Sequence, residues 1–429
     1  MKKIILGTFL TLLLMFILLI IVFNFVPKQK LVSIIPSNLY KNIKNSTPKN
    51  IFSVIQVIFD NERSTNRINN DYNEKFLPDT QFVKLNLNKI NLEFLETNTV
   101  GYANFLKKSR KTFYIENDQR NIFVLTKNGN LYFIKTENLL SNNEKFNEIK
   151  TNLDNFVALD FLVNDQNIFL SGYLKGQGCN QLVIYKSEID YEKIDFSVIR
   201  LFNDCFESIQ AGKIELLNEK TILLSTGADI LKKDDETDEK PQDPLSPYGK
   251  ILEINIETSE IEYFSMGHRN ILGLLVDGEN IISTENGPAG GDEINLIKKK
   301  GNYGWPLASY GEKYSHGFSD KLTYLKSHES NNFIEPIFSF VPSIGISEII
   351  SLEDNFAKTW QNNYLIGSLN SNHIFRFKFD NDFKSTIYYE KIFIKERIRD
   401  LLYLKDNKAI LLALENSGSI GILTKKDSE

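Results

Sequence analysis

The chain has 429 residues, of which 42% are hydrophobic and 12% aromatic. It can therefore bury a large core, which excludes an intrinsically disordered protein. Its 50 Lys and Arg residues and 55 Asp and Glu residues give a net charge of −5 and are scattered along the chain. Because no basic stripe is present, we expect no nucleic-acid binding.

Residues 4–26 contain no charged side chain and follow Lys2 and Lys3. A helix needs about 20 apolar residues to cross a bilayer, so this stretch predicts an N-terminal transmembrane helix within residues 1–30. A cleaved signal peptide is the alternative, but its apolar region is about 7–15 residues long and ends at a small-x-small site. No such site precedes Pro27. An uncleaved signal anchor would make a single pass through the inner membrane and leave the bulk of the chain in the periplasm.

Residues 31–79 are rich in Asn, Lys and Ser and contain one apolar run at 51–59. This composition predicts a stalk with a short helix. From residue 80 to 429, short β-branched and aromatic runs alternate with turn pairs, a pattern typical of an all-β fold.

Several pairs of these runs flank turns rich in Asn, Asp and Gly, residues that tolerate the positive φ of tight hairpins. The turns are Asn128-Gly129, Asn164-Asp165, Asn218-Glu219, Asp277-Gly278 and Asp406-Asn407. From position 164 onwards they are 54, 59 and 129 residues apart, the last step being about twice the others. A period near 55–65 residues is typical of four-stranded propeller blades with long loops.

The 350 residues from 80 to 429 hold about six such blades. The fold expected is thus all-β, a six-bladed β-propeller preceded by an N-terminal transmembrane helix. The step of 36 residues between positions 128 and 164 fits this period poorly, so the first blade is not placed. On spacing alone, an array of β-sandwiches or two barrels is an open alternative.

The two cysteines of the chain are Cys179 and Cys205. An even number is consistent with a disulfide in an oxidising periplasm. Two unrelated buried thiols are the alternative, and the sequence leaves both open.

Residues 267–306 read GHRNILGLLVDGENIISTENGPAGGDEINLIKKKGNYGWP, a strand-turn-strand followed by a loop rich in glycine and proline. The glycines of this loop let main-chain carbonyl groups converge, and the carboxylates of Asp292 and Glu293 follow. Calcium takes roughly six to eight oxygen ligands of these kinds. The segment is therefore compatible with a calcium site, and a structural loop held by salt bridges is the alternative.

This segment resembles the glucose/sorbosone dehydrogenase family in three consecutive motifs: GHRN-x-x-G-L, E-x-G-P-x-x-x-D-E-I-N-L-I and G-N-Y-G-W-P. The stretch PQDPLSPYGKILEIN (241–255) is similar to the family sequence that precedes them. HIFRFKFD (373–380) and RIRD (397–400) resemble the closing blade of the family. The resemblance spans roughly residues 80–425 and implies a six-bladed propeller that binds pyrroloquinoline quinone (PQQ) and calcium.

The resemblance also assigns residues to the cofactor. PQQ is a tricarboxylated ortho-quinone, and arginine pairs bidentately with carboxylates without losing its charge. By motif position, the residues expected to contact the cofactor are Arg269, Asn270, Asn286, Arg397 and Arg399. From the residues alone, a surface or blade-locking role for the last two arginines is an open alternative.

The same motifs imply calcium ligands. The carbonyl groups of Gly287 and Pro288 would reach the cofactor calcium, with Asp292 close by. Glu293 and Tyr303 match family positions associated with structural calcium.

The catalytic pocket departs from the family. The family carries its general base in an H-x-x-G-R segment, and the matching segment here, residues 209–213, begins with Ile209 in place of the histidine. Asn370 replaces a cofactor-binding lysine, Leu272 replaces the usual glutamine, and Asn286 is one carbon shorter than the usual glutamine. Loss of a general base alone costs about 10²–10⁴ in rate. The catalytic residues are therefore unknown from the sequence.

The chain has four histidines. His268 is expected to pack or hydrogen bond within the GHRN motif. His316, His328 and His373 lie in polar loops or at a strand end and are expected to be exposed.

Two functions follow. The first is a membrane-tethered, PQQ-dependent dehydrogenase that oxidises a sugar or another alcohol with a different base, such as Asp204 or Glu207. The second is a propeller that retains the calcium loop as scaffold and binds a glycan, a small ligand or a protein without turnover. The sequence names neither the substrate nor the electron acceptor, and it leaves the oligomeric state unknown.

Overall fold

A computed structural model of the chain describes residues 83–100, 108–141, 145–164, 166–177, 179–206, 211–227, 239–312, 324–353 and 356–426. The predicted anchor (1–30), the predicted stalk (31–79), Glu207, Ile209 and His316 lie outside these residues. Within the described ranges, no helix is long and apolar enough to span a membrane.

The strands of the first three blades follow one another along the chain. They are preceded by β1 (Leu85–Asn91) and by a small sheet of β2 (Asn98–Val100) and β3 (Lys108–Arg110). The first blade consists of β4 (Phe113–Asn117), β5 (Asn121–Thr126), β6 (Leu131–Lys135) and β7 (Asn147–Thr151), with helix α1 (Thr136–Leu140) between β6 and β7. The second consists of β8 (Phe156–Val163), β9 (Asn167–Lys175), β10 (Asn180–Glu188) and β12 (Ser197–Leu201), while β11 (Lys193–Ile194) pairs in parallel with β7. The third consists of β13 (Ala211–Asn218), β14 (Thr221–Thr226), β15 (Lys250–Asn255) and β16 (Ile261–Met266).

The remaining blades repeat this order. The fourth consists of β17 (Ile271–Asp277), β18 (Asn280–Glu285), β19 (Asp292–Leu296) and β20 (Phe338–Phe340). The fifth consists of β21 (Ile346–Leu352), β22 (Asn363–Ser368), β23 (His373–Phe379) and β24 (Thr386–Phe393), and the sixth begins with β25 (Ile398–Leu404), β26 (Ala409–Leu414) and β27 (Ser419–Lys425). Short 3₁₀ helices lie at Glu329–Asn331 and Lys358–Trp360.

The sixth blade is completed from the other end of the described chain. Strand β1 pairs antiparallel with β27, with Leu85 opposite Lys425 and Asn91 opposite Ser419. The inner strands contact one another in the order β4, β8, β13, β17, β21, β25 and back to β4. The ring is thus closed, and the predicted all-β, six-bladed propeller is confirmed.

The hydrophobic core lies between neighbouring sheets. One cluster joins Phe113 and Val124 of the first blade to Leu411 and Ile422 of the sixth. Second strands such as β5 and β26 are buried at every position, because each is covered on both faces. Strands in that situation read as continuous apolar runs rather than as alternating ones.

The inner strands carry a repeated irregularity. Five of the six shift register against their second strand, between Ala158 and Asp160, Ala211 and Ile214, Ile271 and Gly273, Ile346 and Ile349, and Ile398 and Leu401. A β-bulge bends its strand and redirects a side chain. The repeated bulges therefore change the direction of the side chains along the inner strands.

The poor fit of the first predicted step has a simple cause. The turn at Asn128 joins β5 to β6, whereas the other four predicted turns each join the first strand of a blade to its second. The equivalent turn of the first blade lies between β4 and β5, where Asp118 Oδ1 accepts the backbone N–H of Asn121 at 2.7 Å. The step of 36 residues therefore compared turns that are not equivalent.

Cys179 and Cys205 form a disulfide, with their Cα atoms 4.7 Å apart. Asn180 and Phe206 beside them exchange two backbone hydrogen bonds of 3.0 and 3.1 Å. The bond holds the segment after β12 against the start of β10. Of the two alternatives left open by the sequence, the paired one is present.

Candidate functional site

Every blade begins with its inner strand, so the six inner strands run in one direction and start at the same end of the channel. The segments that precede inner strands and those that connect second to third strands both lie at this end, which we call the entry end. Arg269, Asn270 and Arg397 precede inner strands, and residues 286–291 connect β18 to β19. The topology therefore brings most of the predicted site residues to one end of the ring.

Arg397 and Arg399 meet on one carboxylate. Glu415, fully buried, accepts Arg397 Nε at 2.9 Å through Oε2 and Arg399 Nε at 2.7 Å through Oε1. Thr112 Oγ1 donates to the same Oε1 atom at 2.9 Å. Burial alone would raise the pKa of Glu415, but the two arginines outweigh it and lower that pKa to about 2. We call Arg397, Arg399, Glu415 and Thr112 the arginine seam, because they join the sixth blade to the first.

The arginine seam carries more positive than negative charge. Arg397 Nη1 donates to the carbonyl of Leu369 at 2.6 Å and to Asn370 Oδ1 at 3.0 Å. Arg399 donates through Nε only, and its terminal nitrogens make no hydrogen bond to any residue in the described part of the chain. Two guanidinium groups thus share one carboxylate, and the donors left over suit a carboxylate ligand.

Arg269 is held differently. It is 3% exposed, and its Nη1 donates to the carbonyl groups of Asn286 at 2.8 Å and Gly287 at 2.9 Å. Its guanidinium lies 5.2 Å from the centre of the Trp305 ring. Its Nε has no hydrogen-bond partner among the described residues. Asn270 Oδ1 accepts the backbone N–H of Ala211 at 2.9 Å and so ties the fourth blade to the third.

Asp292 holds the glycine-rich loop to the fifth blade. Its Oδ1 accepts Gly287 N at 3.0 Å and Ser343 Oγ at 2.6 Å, and its Oδ2 accepts Ile344 N at 2.9 Å and Ile346 N at 3.0 Å. The side chain is fully buried, and burial raises its pKa although each of these bonds lowers it. Four donors saturate both oxygens, so the carboxylate acts as a structural clamp.

Glycine is needed at position 291 for two reasons. Its φ is +70°, and a Cβ atom there would clash with the backbone of Tyr310 and Gly311. Gly291 N also donates to the carbonyl of Phe340 at 2.7 Å. This part of the motif therefore serves the packing of the loop.

Glu293 lies on a buried polar face of the fourth blade. It stands opposite Glu285 and Ser339 in the register of β18, β19 and β20. Asn295 Nδ2 donates to Glu293 Oε2 at 3.4 Å. Asn295 Oδ1 and the hydroxyls of Ser283 and Ser339 have no hydrogen-bond partner among the described residues. Burial and the neighbouring Glu285 raise the pKa of Glu293 well above its usual range.

Tyr303 supports this face from the side. Its hydroxyl donates to the carbonyl of Leu296 at 2.6 Å and accepts Lys298 N at 2.8 Å. Its ring stacks on His268 with centroids 4.7 Å apart. His268 in turn contacts Glu285 at 3.0 Å through Nδ1. The Tyr303 hydroxyl is therefore already hydrogen bonded to the backbone of Leu296 and Lys298.

The loop and the arginine seam are linked across the fifth blade. Arg397 contacts Asn370, Asn370 N donates to the carbonyl of Ile344 at 3.0 Å, and Ile344 N donates to Asp292. A continuous path of hydrogen bonds thus joins the arginine seam to the Asp292 clamp at the entry end.

Comparison with known proteins identifies the family of the chain. The sequence profile of the family described as Glucose / Sorbosone dehydrogenase matches residues 112–422. The chain belongs to this family.

Its sequence identity to individual relatives is low, and each alignment covers only part of both chains. It is 30% identical to the aldose sugar dehydrogenase YliI of Escherichia coli over 161 residues, which cover 37% of this chain and 43% of that protein. It is 24% identical to the quinoprotein glucose dehydrogenase B of Acinetobacter calcoaceticus over 234 residues, 40% of this chain and 49% of that one. A Synechocystis protein is 27% identical over 266 residues, 57% of this chain and 63% of the relative. The chain thus spans less than two thirds of the length of each of these relatives.

Solved structures share the fold. The apo form of the soluble aldose sugar dehydrogenase from Escherichia coli superposes with a TM-score of 0.61 and 16% identity, over 80% of this chain and 100% of that one. The PQQ-bound aldose sugar dehydrogenase from Streptomyces coelicolor gives 0.54 and 16%, over 80% and 99%. At these identities the likeness concerns the propeller fold alone.

A glucose/sorbosone dehydrogenase implies a quinone and calcium, and the two parts of the entry end differ in how they suit them. The terminal nitrogens of Arg399, which make no hydrogen bond to the described residues, suit the carboxylates of the quinone. Asp292 offers no free lone pair to calcium, and the carbonyl of Gly287 already accepts Arg269. The unpartnered oxygens around Glu293 suit a hard cation better, although no group of three or more His, Cys, Asp or Glu residues in the described part of the chain could hold a metal.

The channel of this dehydrogenase-family propeller contains a buried ionic network that sequence reasoning does not find. Lys213 Nζ lies 2.7 Å from Asp160 Oδ1 and also contacts Glu348, and Asp160 Oδ2 accepts Ile214 N at 3.0 Å. Burial raises the pKa of Asp160 to about 6 although Lys213 lowers it. The network joins the second, third and fifth blades. Its only signal in the sequence is that each of the three inner strands carries a charged residue among mostly apolar ones.

The prediction that His328 and His373 are exposed is wrong, since they are 1% and 3% exposed. His328 lies with Nε2 3.6 Å from Glu293 Oε1, and burial lowers its pKa. The His373 ring packs 4.9 Å from the ring of Phe393. Both histidines are buried by other segments of the chain, and their neighbours in sequence do not predict this burial. His268 is buried and hydrogen bonded, as expected.

Proposed function

We propose that the entry end binds a tricarboxylated quinone of the PQQ type, with Arg397 and Arg399 receiving carboxylates and Arg269, Asn270 and Asn286 lining the opposite side. One observation carries the proposal: two guanidinium groups share the single buried carboxylate of Glu415, and the terminal nitrogens of Arg399 have no partner among the described residues. Such a surplus of directed donors is what a polycarboxylate requires.

The reaction class follows from this ligand. When bound, an ortho-quinone supplies a two-electron acceptor, and the protein supplies binding and orientation. We infer that the chain acts on a small-molecule sugar or another alcohol, in keeping with relatives named aldose sugar dehydrogenase and quinoprotein glucose dehydrogenase. Position 209, where the family places its base, carries isoleucine, so a proton acceptor would have to come from another residue.

We further propose that the protein is tethered to the inner membrane through residues 1–30, with the propeller in the periplasm. The uncharged stretch 4–26 supports the tether. The disulfide between Cys179 and Cys205 supports an oxidising compartment, because cytosolic thiols are kept reduced.

We also propose that calcium binds at the buried polar face around Glu293 rather than at Asp292. Glu293, the Asn295 Oδ1 atom and the Ser283 and Ser339 hydroxyls would supply oxygen ligands, and a cation would offset the adjacent charge of Glu285. At Gly287, the guanidinium of Arg269 already meets the carbonyl oxygen.

A non-catalytic propeller that binds a glycan, a small ligand or a protein is the second candidate. Two observations favour it: the isoleucine at position 209, and the use of Asn370 to bind Arg397 where the family has a lysine. A scaffold that retains the saturated Asp292 clamp would keep the same motifs.

The two candidates separate in one experiment on the full chain, purified in detergent and supplied with PQQ and calcium. Quinone binding is followed by absorbance, and sugar oxidation by reduction of an electron-accepting dye. Binding with dye reduction supports the dehydrogenase, and binding without it supports a quinone-binding protein without turnover. Absence of quinone binding would refute the proposed function and leave the glycan- or protein-binding propeller.

A further inference from the structure

Lys127 follows β5, and hydrogen bonds to its own blade and to the second blade fix its position. Its backbone N–H donates to the carbonyl of Thr112 at 3.2 Å, and Thr112 is the residue whose hydroxyl donates to Glu415. Its ammonium donates to the carbonyl of Ala158 in the second blade at 2.7 Å. Lys127 is thus two hydrogen bonds away from Glu415 and lies at the same end of the ring as the arginine seam.

The ammonium group is only partly satisfied. It has three donors, and the carbonyl of Ala158 accepts one of them, while no further hydrogen bond to a described residue is present. The Tyr173 ring of the second blade lies 6.0 Å from Nζ. The charged groups that act on it come from the sixth blade: Arg399 opposes its protonation and Glu415 favours it. No carboxylate is paired with it in the described residues.

We propose that Lys127 is the third cation of an anion-binding site shared with Arg397 and Arg399, and that its protonation sets how tightly this site binds a polycarboxylate. The proposal rests on the proposed function only in taking the natural occupant to be the quinone tricarboxylate. It also accounts for the missing lysine: the charge absent at Asn370, on the fifth-blade side of the arginine seam, is supplied from the first-blade side.

The titration of Lys127 falls in the physiological range. Burial, and then Arg399, lower its pKa to about 7. A carboxylate placed between Lys127 and Arg399 would favour the charged ammonium and raise that pKa, so binding takes up a proton above neutral pH. Affinity therefore rises as pH falls toward about 7 and levels off below it, which is the opposite of what ionisation of a ligand carboxylate would produce.

The test uses benzene-1,3,5-tricarboxylate, a redox-inert tricarboxylate, with the full chain in detergent. Affinity is measured calorimetrically at about pH 6 and about pH 8.5. The wild type is expected to bind on the order of 10-fold more weakly at the higher pH, and at most about 30-fold for a group whose pKa is about 7. Lys127→Arg should bind tightly at both pH values, because its charge is permanent. Lys127→Met should bind weakly at both.

Lys220→Met is the matched control, since its side chain is 66% exposed on the turn between β13 and β14. It should behave as the wild type does. Tryptophan fluorescence checks that each variant is folded. The proposal is overturned if the tricarboxylate does not bind at either pH, if wild-type affinity does not change with pH, or if Lys127→Met keeps the wild-type dependence.

A parallel titration with PQQ distinguishes this proposal from the proposed function. If benzene-1,3,5-tricarboxylate binds with the expected pH dependence and PQQ does not bind, the three-cation site stands and the proposed function falls. If PQQ binds and Lys127→Met leaves the pH dependence of both ligands unchanged, the proposed function stands and the role of Lys127 falls.

Discussion

Two regions at the entry end carry the predicted arginines, and they use their polar atoms in different ways. In the loop of residues 286–292, Arg269 donates to main-chain carbonyls and Asp292 accepts four hydrogen bonds. In the arginine seam, two guanidinium groups share Glu415 and retain unused donors. The loop has the longer and more specific motif, yet the arginine seam is the region whose remaining N–H donors suit a carboxylate ligand. A long, specific motif can therefore reflect a requirement of folding rather than contacts with a ligand.

The largest effect that separates the two regions is expected from Asp292→Ala. The change leaves two backbone N–H groups of the fifth blade, one of the loop and the Ser343 hydroxyl without their acceptor in a buried position. We expect the free energy of unfolding to fall by about 3–5 kcal/mol. Urea unfolding followed by the fluorescence of the buried Trp305 and Trp360 measures this.

Asp195→Ala is the control for that variant, because the Asp195 side chain is 62% exposed and pairs with Lys193 at the surface. Its effect should stay within about 0.5 kcal/mol. A comparably small loss in Asp292→Ala would show that the loop is not clamped as described.

Glu415→Gln tests the arginine seam through pH. The folded-state pKa of Glu415, about 2, lies below its ordinary value of 4.5. Its contribution to stability is therefore present above about pH 4.5 and is lost as pH falls from there toward 2. At neutral pH the variant should be about 2–4 kcal/mol less stable than the wild type, because two buried guanidinium groups lose their anion.

The expected signature is a difference between the two proteins that shrinks as urea unfolding is repeated at decreasing pH. Carboxylates common to both cancel in that difference. Parallel loss of stability in wild type and variant across this range would contradict the depressed pKa of Glu415.

Arg399→Met should affect binding more than folding. Glu415 keeps Arg397 and Thr112 after the change, so the buried carboxylate is not left alone. We expect affinity for benzene-1,3,5-tricarboxylate to fall by about 10- to 100-fold, which corresponds to about 1.4–2.8 kcal/mol. Arg200→Met, on the exposed outer strand of the second blade, is the matched control. If Asp292→Ala weakened binding more than Arg399→Met does, the division between the two regions would be wrong.

The smallest effect concerns calcium. We expect added calcium to raise the melting temperature by about 1–2 °C, which for a domain of this size corresponds to about 1 kcal/mol. Glu293→Gln should abolish the rise, because it removes the charged ligand from the buried polar face. Thermal scans with calcium and with a chelator measure both. An unchanged calcium response in Glu293→Gln would move the site elsewhere, and the prediction that Asp292 serves the metal would regain support.

Much of the fold could be predicted from the sequence because tight turns impose local requirements. Asn, Asp and Gly at the hairpin turns gave the blade period, and the apolar runs between them gave the strands. The first blade was not placed, because a turn between its second and third strands has the same local chemistry as the turns between first and second strands. That β1 completes the sixth blade is not readable either, since its partner β27 lies at the other end of the chain.

The candidate site could be predicted only in part. Arg269, Arg397 and Arg399 were recognisable from motifs, but Glu415 lies in the unremarkable sequence ALENSGS and becomes important only by meeting both arginines. Lys127 directly precedes the turn residues Asn128 and Gly129 and belongs to no motif. The wrong prediction for His328 and His373 has the same origin, because burial was inferred from neighbours in sequence rather than in space.

The sequence by itself therefore indicated an all-β fold and the glycine-rich loop of residues 286–292, because turn chemistry and close backbone approach are local properties, and the resemblance of its motifs to the glucose/sorbosone dehydrogenase family implied six blades. Tertiary structure decided which charges meet: Glu415 with two arginines, Lys127 beside them, and Asp160 with Lys213 and Glu348 in the channel. The physical reason is that electrostatic energy depends on distance and burial, and both arise only when the ring closes and brings distant strands together.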